Sequence, residues 1–324
     1  MRRLSVLATA LSGVALLLPV ACTSTPAAST PVPVSIATGS PSGLYFPLGS
    51  SLARIYNARV PGVLATAVQT GASAANVEAL EAGSADIAFA LGDAAYFAYT
   101  DGTQLTAAPH RRLRSIAVLY PNALHFFVAP ESRIRSLRDL AGARLAVGVA
   151  RVSGGRSRSV DLLMQAHGVD PASVDVRLET FDGIIAGLGA GRLDVGVISA
   201  GFPVPTIEAA AHVGLRFLRV DPVALERVRE EYPFFLPLTI PAATYSGQTA
   251  AVETVGVDNV LLCREDLDDE LVYRLTRVFF EALPDLAATH SSAALIDADL
   301  APATAIPLHA GAARYYRERE LLLY

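Results

Sequence analysis

The chain contains no lysine. All 26 of its basic residues are arginine, set against 31 acidic residues for a net charge of −5. This absence removes Schiff-base chemistry, a pyridoxal-phosphate lysine and the P-loop lysine together. There is no basic tract, so nucleic acid is not an expected partner. Cysteine is nearly absent, with only Cys22 and Cys263. Once Cys22 is modified no pair remains for an intramolecular disulfide, and Cys263 reads as a small buried apolar residue. Beyond the N-terminal segment no apolar run is long and clean enough to span a bilayer.

Signatures of catalysis and of cofactors are also missing. There is no HExxH, no paired CxxC and no Gly-x-Ser-x-Gly elbow. The histidines at 110, 125, 167, 212, 290 and 309 are scattered and lie outside the glycine-rich loops. Gly187, Gly189 and Gly191 precede a strand, whereas a dinucleotide fingerprint needs its glycines after one. The acidic run Asp266-Leu-Asp-Asp-Glu270 reads as a helix start, and Asp297 and Asp299 lack the glycine and distal glutamate of a calcium loop. The expectation is a protein that is not an enzyme and that needs no metal or cofactor.

What is present begins with a leader. Arg2 and Arg3 precede an uncharged apolar run over 4–20, and Ala21-Cys22 then offers a small-residue cleavage site. Residues 1–21 are expected to be a signal peptide, and a cysteine at this place is a candidate for lipidation. Residues 22–32, rich in Thr, Ala, Ser and Pro, read as a flexible tether. The remainder is long enough for two cores.

The rest alternates strand and helix. Strands are expected over 34–38, 64–69 and 85–90, and helices over 47–57, 73–82 (with Ser73 as N-cap) and 93–99. The pattern recurs with strands over 144–149, 174–178, 193–198 and 215–220, and helices over 156–167, 183–190 and 206–212. Such alternation predicts an α/β fold with mostly parallel sheets flanked by helices. Two series of this size predict two lobes. The apolar stretch 116–130, with a Pro-Asn turn inside it, and the run 254–263 read as crossovers that form a hinge. Lobe I then comprises 33–121 plus 254–324, with a helix near 268–283 and a closing helix over 312–320. Lobe II comprises 122–253.

Glycine and hydroxyl residues recur just after the strands: Thr38, Gly39, Ser40 and Gly43; Thr70, Gly71 and Ser73; Gly92-Asp93; Ser153, Gly154 and Gly155; Ser199 and Gly201. In open α/β sheets ligands bind at that edge. Helix N-termini, close backbone approach at glycine, and hydroxyl donors together favour an anion. The same loops also serve as ordinary caps and turns. Tyr45 reads either as a cover over the ligand or as a core tyrosine. Asp93 reads either as a helix cap or as a partner for a ligand ammonium group. Arg151 and Arg156 read either as solvated loop residues or as carboxylate clamps.

With these residues in view, the chain resembles the TAXI subfamily of TRAP-transporter solute-binding proteins. The resemblance runs through Ile36-Ala-Thr-Gly-Ser-Pro-Ser-Gly-Leu-Tyr45, Pro47-Leu-Gly49, Gln69-Thr-Gly-Ala-Ser73 with Asn76, and Leu137-Arg-Asp-Leu-Ala-Gly142. It continues through Gly191-Arg-Leu-Asp194, Ala200-Gly-Phe-Pro-Val-Pro205 and Ile240-Pro-Ala-Ala-Thr-Tyr245 with Gly247-Gln248. It ends with Val272-Tyr-Arg-Leu-Thr276 and Pro307-Leu-His-Ala-Gly311 with Tyr315-Tyr316. The resemblance implies a two-lobed type II periplasmic-binding-protein fold, an extracytoplasmic location and TRAP membrane subunits as partners. It implies a ligand such as glutamate, glutamine or a related dicarboxylate. Its site would draw on the loops above together with Phe202, Pro203 and Tyr245. The chain departs from the pattern at Leu91, where the family often carries Gln, and in the longer loop 148–155 with Arg151. Two other readings are a sensory module that binds the same solute and an enzyme on the same fold.

Overall fold

Apolar runs that alternate with helical periodicity fold here into one mixed sheet with helices on both faces. The computed structural model describes residues 30–41, 43–148, 157–210 and 214–320. The leader, Cys22 and the loop bearing Arg151, Ser153, Gly154, Gly155 and Arg156 lie outside the described residues. In chain order the elements are β1 (Val32–Ala37), α1 (Tyr45–Arg59), β2 (Val63–Val68), α2 (Ser73–Glu81), β3 (Ile87–Leu91), α3 (Gly92–Asp101) and β4 (Leu113–Val128). Then follow β5 (Arg144–Gly148), α4 (Arg158–Ala166), β6 (Asp175–Glu179), α5 (Phe181–Gly189), β7 (Val195–Ala200) and α6 (Pro205–Ala209). The chain finishes with β8 (Arg216–Leu218), α7 (Pro222–Arg229), β9 (Phe235–Ile240), β10 (Val252–Arg264), α8 (Asp269–Glu281), α9 (Leu283–Thr289) and α10 (Ala310–Glu318). Among the described residues no helix is long and apolar enough to cross a membrane.

The strand order is β2-β1-β3-β10-β4-β7-β5-β6, with β8 on β4 and β9 on β10. β1 runs parallel to β2 and β3, and β5 runs parallel to β6 and β7, as βα units require. Between these two parallel blocks lie the long antiparallel strands β10 and β4. They join the blocks into one continuous sheet rather than two separate ones.

Each half has a helix layer on either face. In the first half Leu52 and Tyr56 of α1, Phe279 of α8 and Tyr316 of α10 cover one face. Val77 and Leu80 of α2 and Ala98 of α3 cover the other. In the second half Leu163 and Met164 of α4 and Leu225 of α7 lie on one face, with Ile184 and Leu188 of α5 and Ile207 of α6 opposite. The acidic run before α8 is the helix start expected of it. Asp268 caps the helix by accepting from Leu271 N at 2.8 Å, and Asp269 and Glu270 occupy its first turn. The closing helix spans Ala310–Glu318 and meets α8 backbone to backbone. A Cβ on Gly311 would lie 2.3 Å from the Asp269 carbonyl oxygen.

Several expectations are corrected. The Pro-Asn pair at 121–122 makes no turn. β4 runs straight through it, and the register against β10 slips between Asp258 and Val260, beside the place where Pro121 brings no N–H. The strand expected over 215–220 is the short β8, an antiparallel partner of β4 rather than a member of a parallel series. Ser73 is not the N-cap of α2. Ala72 holds that place, and the Ser73 hydroxyl accepts from Leu91 N at 3.0 Å. Helix α7, strand β9 and helix α9 have no counterpart in the sequence reading.

Candidate functional site

The hydroxyl loops converge at the carboxyl ends of β1, β2 and β3, and most of their polar atoms bind one another. Thr38 is fully buried, and both its N–H and its Oγ1 donate to the Val68 carbonyl, at 3.0 and 2.7 Å. Asn76, buried on α2, is the clamp. Its Nδ2 donates to the carbonyls of Thr38 and Phe89, both at 2.6 Å, and its Oδ1 lies 2.5 Å from the Thr70 hydroxyl. Thr70 also accepts from Ala72 N at 3.1 Å. Helix α1 crosses closely above this knot, since a Cβ on Gly49 would lie 2.4 Å from Thr38 Cγ2. Ala72 adopts φ 71° and ψ −151°, a region nearly reserved for glycine, so the turn into α2 carries backbone strain. The Thr38, Thr70 and Ser73 hydroxyls therefore tie these strand ends together. Gly39 is buried above them, Gly71 is exposed, and Gly43 N closes a turn onto the Ser40 carbonyl at 2.8 Å.

A second layer of polar groups faces the crossing strands. Tyr45, the first residue of α1, stacks on Phe89 with ring centroids 5.5 Å apart. Its hydroxyl donates to Asn259 Oδ1 on β10 at 2.6 Å. Asn259 Nδ2 in turn donates to the Tyr120 carbonyl and to Asn122 Oδ1 on β4, at 2.9 and 3.1 Å. Burial holds the Tyr45 phenol well above its ordinary range, against a hydrogen bond from Ser73, and the nearby Asp93 adds to the rise. Tyr120, beside Tyr45, is pushed up by burial in the same way, and among the described residues its hydroxyl has no partner.

Asp93 sits in the first turn of α3 behind Leu91, which is the N-cap. Its Oδ1 accepts from Ala94 N at 2.7 Å, and its Oδ2 accepts from the Ser159 hydroxyl at 2.5 Å. Ser159 belongs to α4, so this contact joins the two halves. Burial raises the Asp93 carboxyl pKa, while Ser159 and Ala94 oppose the rise. A backbone N–H in the first turn of α3 and a hydroxyl in the first turn of α4 thus meet one carboxylate.

The second-half loop after β7 is held by a residue that sequence reasoning passed over. His125 on β4 is completely buried. Its Nδ1 faces the carbonyls of Ala123 and Ile198 at 3.0 and 3.2 Å and must therefore carry the proton. Its Nε2 then accepts from the Tyr245 hydroxyl at 2.8 Å, and that hydroxyl accepts from Val204 N at 3.0 Å. Burial lowers the His125 pKa to about 4 and raises that of Tyr245 to about 12. Tyr245 also stacks on Phe217 at 5.2 Å. Its ring is buried and its hydroxyl is committed to fixing the loop that carries Ser199, Gly201, Phe202 and Pro203. Phe202 packs edge-on against His125 at 6.4 Å, Pro203 is exposed, and the Phe202–Pro203 bond is cis. The Ser199 hydroxyl is buried with no partner among the described residues.

The structure thus gathers Thr38, Thr70, Ser73, Tyr45 and Asp93 at one end of the first half, and Ser199, Gly201, Phe202 and Tyr245 around His125 in the second. Sequence reasoning missed Asn259, Asn122, Tyr120, Ser159 and His125. The available signal was a polar residue inside an otherwise apolar strand run, as at His125 and Asn259.

Residues 36–319 match the family described as NMT1-like. Among solved structures, a Xanthomonas citri protein in its ATP-bound form aligns with a TM-score of 0.53 at 14% identity, over 88% of this chain and 94% of that one. The chloride-bound form of the same protein aligns with a TM-score of 0.53 at 15% identity, over 88% and 95%. A periplasmic sulfonate-binding protein of a putative sulfonate ABC transporter from Methylobacillus flagellatus aligns at 0.49 and 14% identity, over 80% of this chain and 70% of that one.

Proposed function

The chain belongs to the NMT1-like family, and from that premise we propose that it is an extracytoplasmic solute receptor of the TAXI type, serving a TRAP secondary transporter. Its ligand is a small organic anion such as glutamate, glutamine or a related dicarboxylate. Lobe I (33–121 plus 254–324) and lobe II (122–253) close over it about the crossing strands β4 and β10. The observation that carries this reading is the hydrogen bond from Ser159 of the second half to Asp93 of the first. It brings the starts of α3 and α4 together where the strands of both halves end. Helix starts contributed by both halves favour a solute's carboxylate only when the halves are together, and the Asp93 carboxylate between them suits the ammonium group of an amino acid such as glutamate. Among the described residues the buried Tyr120 and Ser199 hydroxyls have no hydrogen-bond partner. A solute that touches both halves binds the closed form more tightly, and that difference adds to the population of closed molecules.

A thermal-shift screen tests the ligand class. A carboxylate at ~100 times its dissociation constant stabilises a one-site binder by about 2.7 kcal/mol. For a chain of this size that raises Tm by roughly 4 °C. The panel is L-glutamate, L-glutamine and short dicarboxylates, with neutral sugars as controls. Stabilisation by a sugar alone, with no carboxylate active, overturns the anion reading.

We also propose that Cys22 is the lipidated first residue of the mature protein and anchors it to the outer face of a membrane. The support is Ala21-Cys22 after an uncharged apolar run. Intact-mass analysis of membrane-fraction protein is expected to give a diacylglyceryl cysteine at position 22; an unmodified N-terminus at any other residue contradicts it.

A further inference from the structure

The two halves are joined by chain twice, through β4 and β10. A third connection runs between α3 of the first half and the second half, and it is made without any covalent crossing of the chain. Arg158, the first residue of α4, pairs with Asp101 at 2.5 Å and lays its guanidinium 4.0 Å above the Phe97 ring. The next residue, Ser159, donates to Asp93. Tyr96 and Phe97 insert among aromatics of the second half. Phe234 lies 5.3 Å from Tyr96 and 5.2 Å from Phe97, and Tyr232 lies 6.1 Å from Phe97. The Tyr96 hydroxyl reaches the Glu231 carbonyl at 3.3 Å. Leu91, Tyr96 and Phe97 pack against the second half's core rather than their own.

We infer that α3 and the first turn of α4 form a clasp that holds one side of the two halves together in the absence of any ligand, and that Arg158 and Ser159 set its strength. Three kinds of contact converge there: an ion pair, a cation over a ring, and a hydrogen bond to a buried carboxylate. None of them needs a bound molecule. Tilted and edge-on ring pairs add a preferred geometry, so the clasp has a definite closed position. The clasp itself stands on geometry alone. Its effect on affinity rests on the solute-receptor reading: apparent affinity scales with the share of molecules already closed, so contacts formed before the solute arrives tune its dissociation constant.

The test needs no ligand. Small-angle X-ray scattering is recorded on the purified ligand-free protein and on the double variant Arg158→Ala, Ser159→Ala. A compact chain of this size has a radius of gyration of roughly 19 Å. The wild type is expected near that value. The double variant is expected to be larger, with the closed-to-open ratio lowered by about tenfold, which is the low end for losing a hydrogen bond to a charged group. Arg158→Gln, at a half-exposed side chain outside both cores, reads the same way with a smaller shift, and it decides the matter if the double variant does not fold. Equal radii for the wild type and a folded variant overturn the clasp. A failed solute screen leaves this measurement unaffected, so the two ideas fall separately.

Discussion

Replacing Asn76 with alanine is expected to cost roughly 3–5 kcal/mol of stability, read as a lower urea midpoint with an unchanged slope. The side chain is fully buried and satisfies three groups at once: the carbonyls of Thr38 and Phe89 and the hydroxyl of Thr70. Alanine leaves all three without their partner in a place water does not reach. Asn76→Asp separates geometry from donor capacity. It keeps the shape but sets an oxygen against two carbonyl oxygens, so it is expected to be at least as damaging. A loss below about 1 kcal/mol for alanine, typical of an ordinary surface site, would show that the knot at the strand ends is not held by this residue. The same variant displaces the loops over 38–45 and 70–73, so any ligand response found in the screen is expected to disappear with it.

The response to acid should split between two variants with slopes of opposite sign. His125 is lowered from 6.5 to about 4 by burial. Between those values the unfolded chain holds a proton that the folded protein rejects, so stability falls on acidification by roughly 3 kcal/mol. Asp258, on β10 opposite Pro121, is raised from 3.8 to about 6 by burial alone. Between pH 6 and 3.8 the folded protein takes up a proton that the unfolded chain does not, so stability rises on acidification, also by roughly 3 kcal/mol at most. His167 and His309, lowered chiefly by burial, add to the first slope, and Asp93, raised by burial, adds to the second. The wild type is therefore expected to change little between pH 6 and 4. His125→Gln should gain stability towards pH 4, and Asp258→Asn should lose it steeply. Calorimetric Tm values at pH 7, 6, 5 and 4 read both. Two variants with slopes of the same sign would refute the assignment.

The alternation of strands and helices was legible because each element is short and its period is local. The glycine and hydroxyl loops were legible for the same reason, as composition at the end of a strand. What those hydroxyls bind was not. Thr38 and Asn76 are 38 residues apart, and Tyr45 and Asn259 are 214 apart, and neither periodicity nor propensity reports a partner at that distance. The Pro-Asn pair at 121–122 suggested a turn because those residues favour turns locally. In the folded protein a register slip in a central strand pair absorbs the proline. Helix α7 did carry a usable signal, Asp221 as N-cap with Pro222 at the first helical position, and the Asp221 carboxylate accepts from Val223 N at 2.9 Å. Strand β9 carried none, since Pro237 and its exposed alternate residues mark an edge more than a strand.

The placement of β10 has a consequence for the order in which the chain can fold. This strand is flanked by β3 and β4, yet it begins at Val252. A nascent chain that has completed β1 to β3 holds one edge of β3 open for some 160 further residues, a gap set by Leu91 and Val252. β4 waits as well, since all its neighbours, β7, β8 and β10, come later. Pairings of such long sequence separation are formed late and slowly. Neither β3 nor β4 can gain its full set of neighbours until β10 has been made. The middle of the sheet is sealed by one of its last segments to emerge, and until then the unfinished edges are open to any other strand or chaperone that meets them.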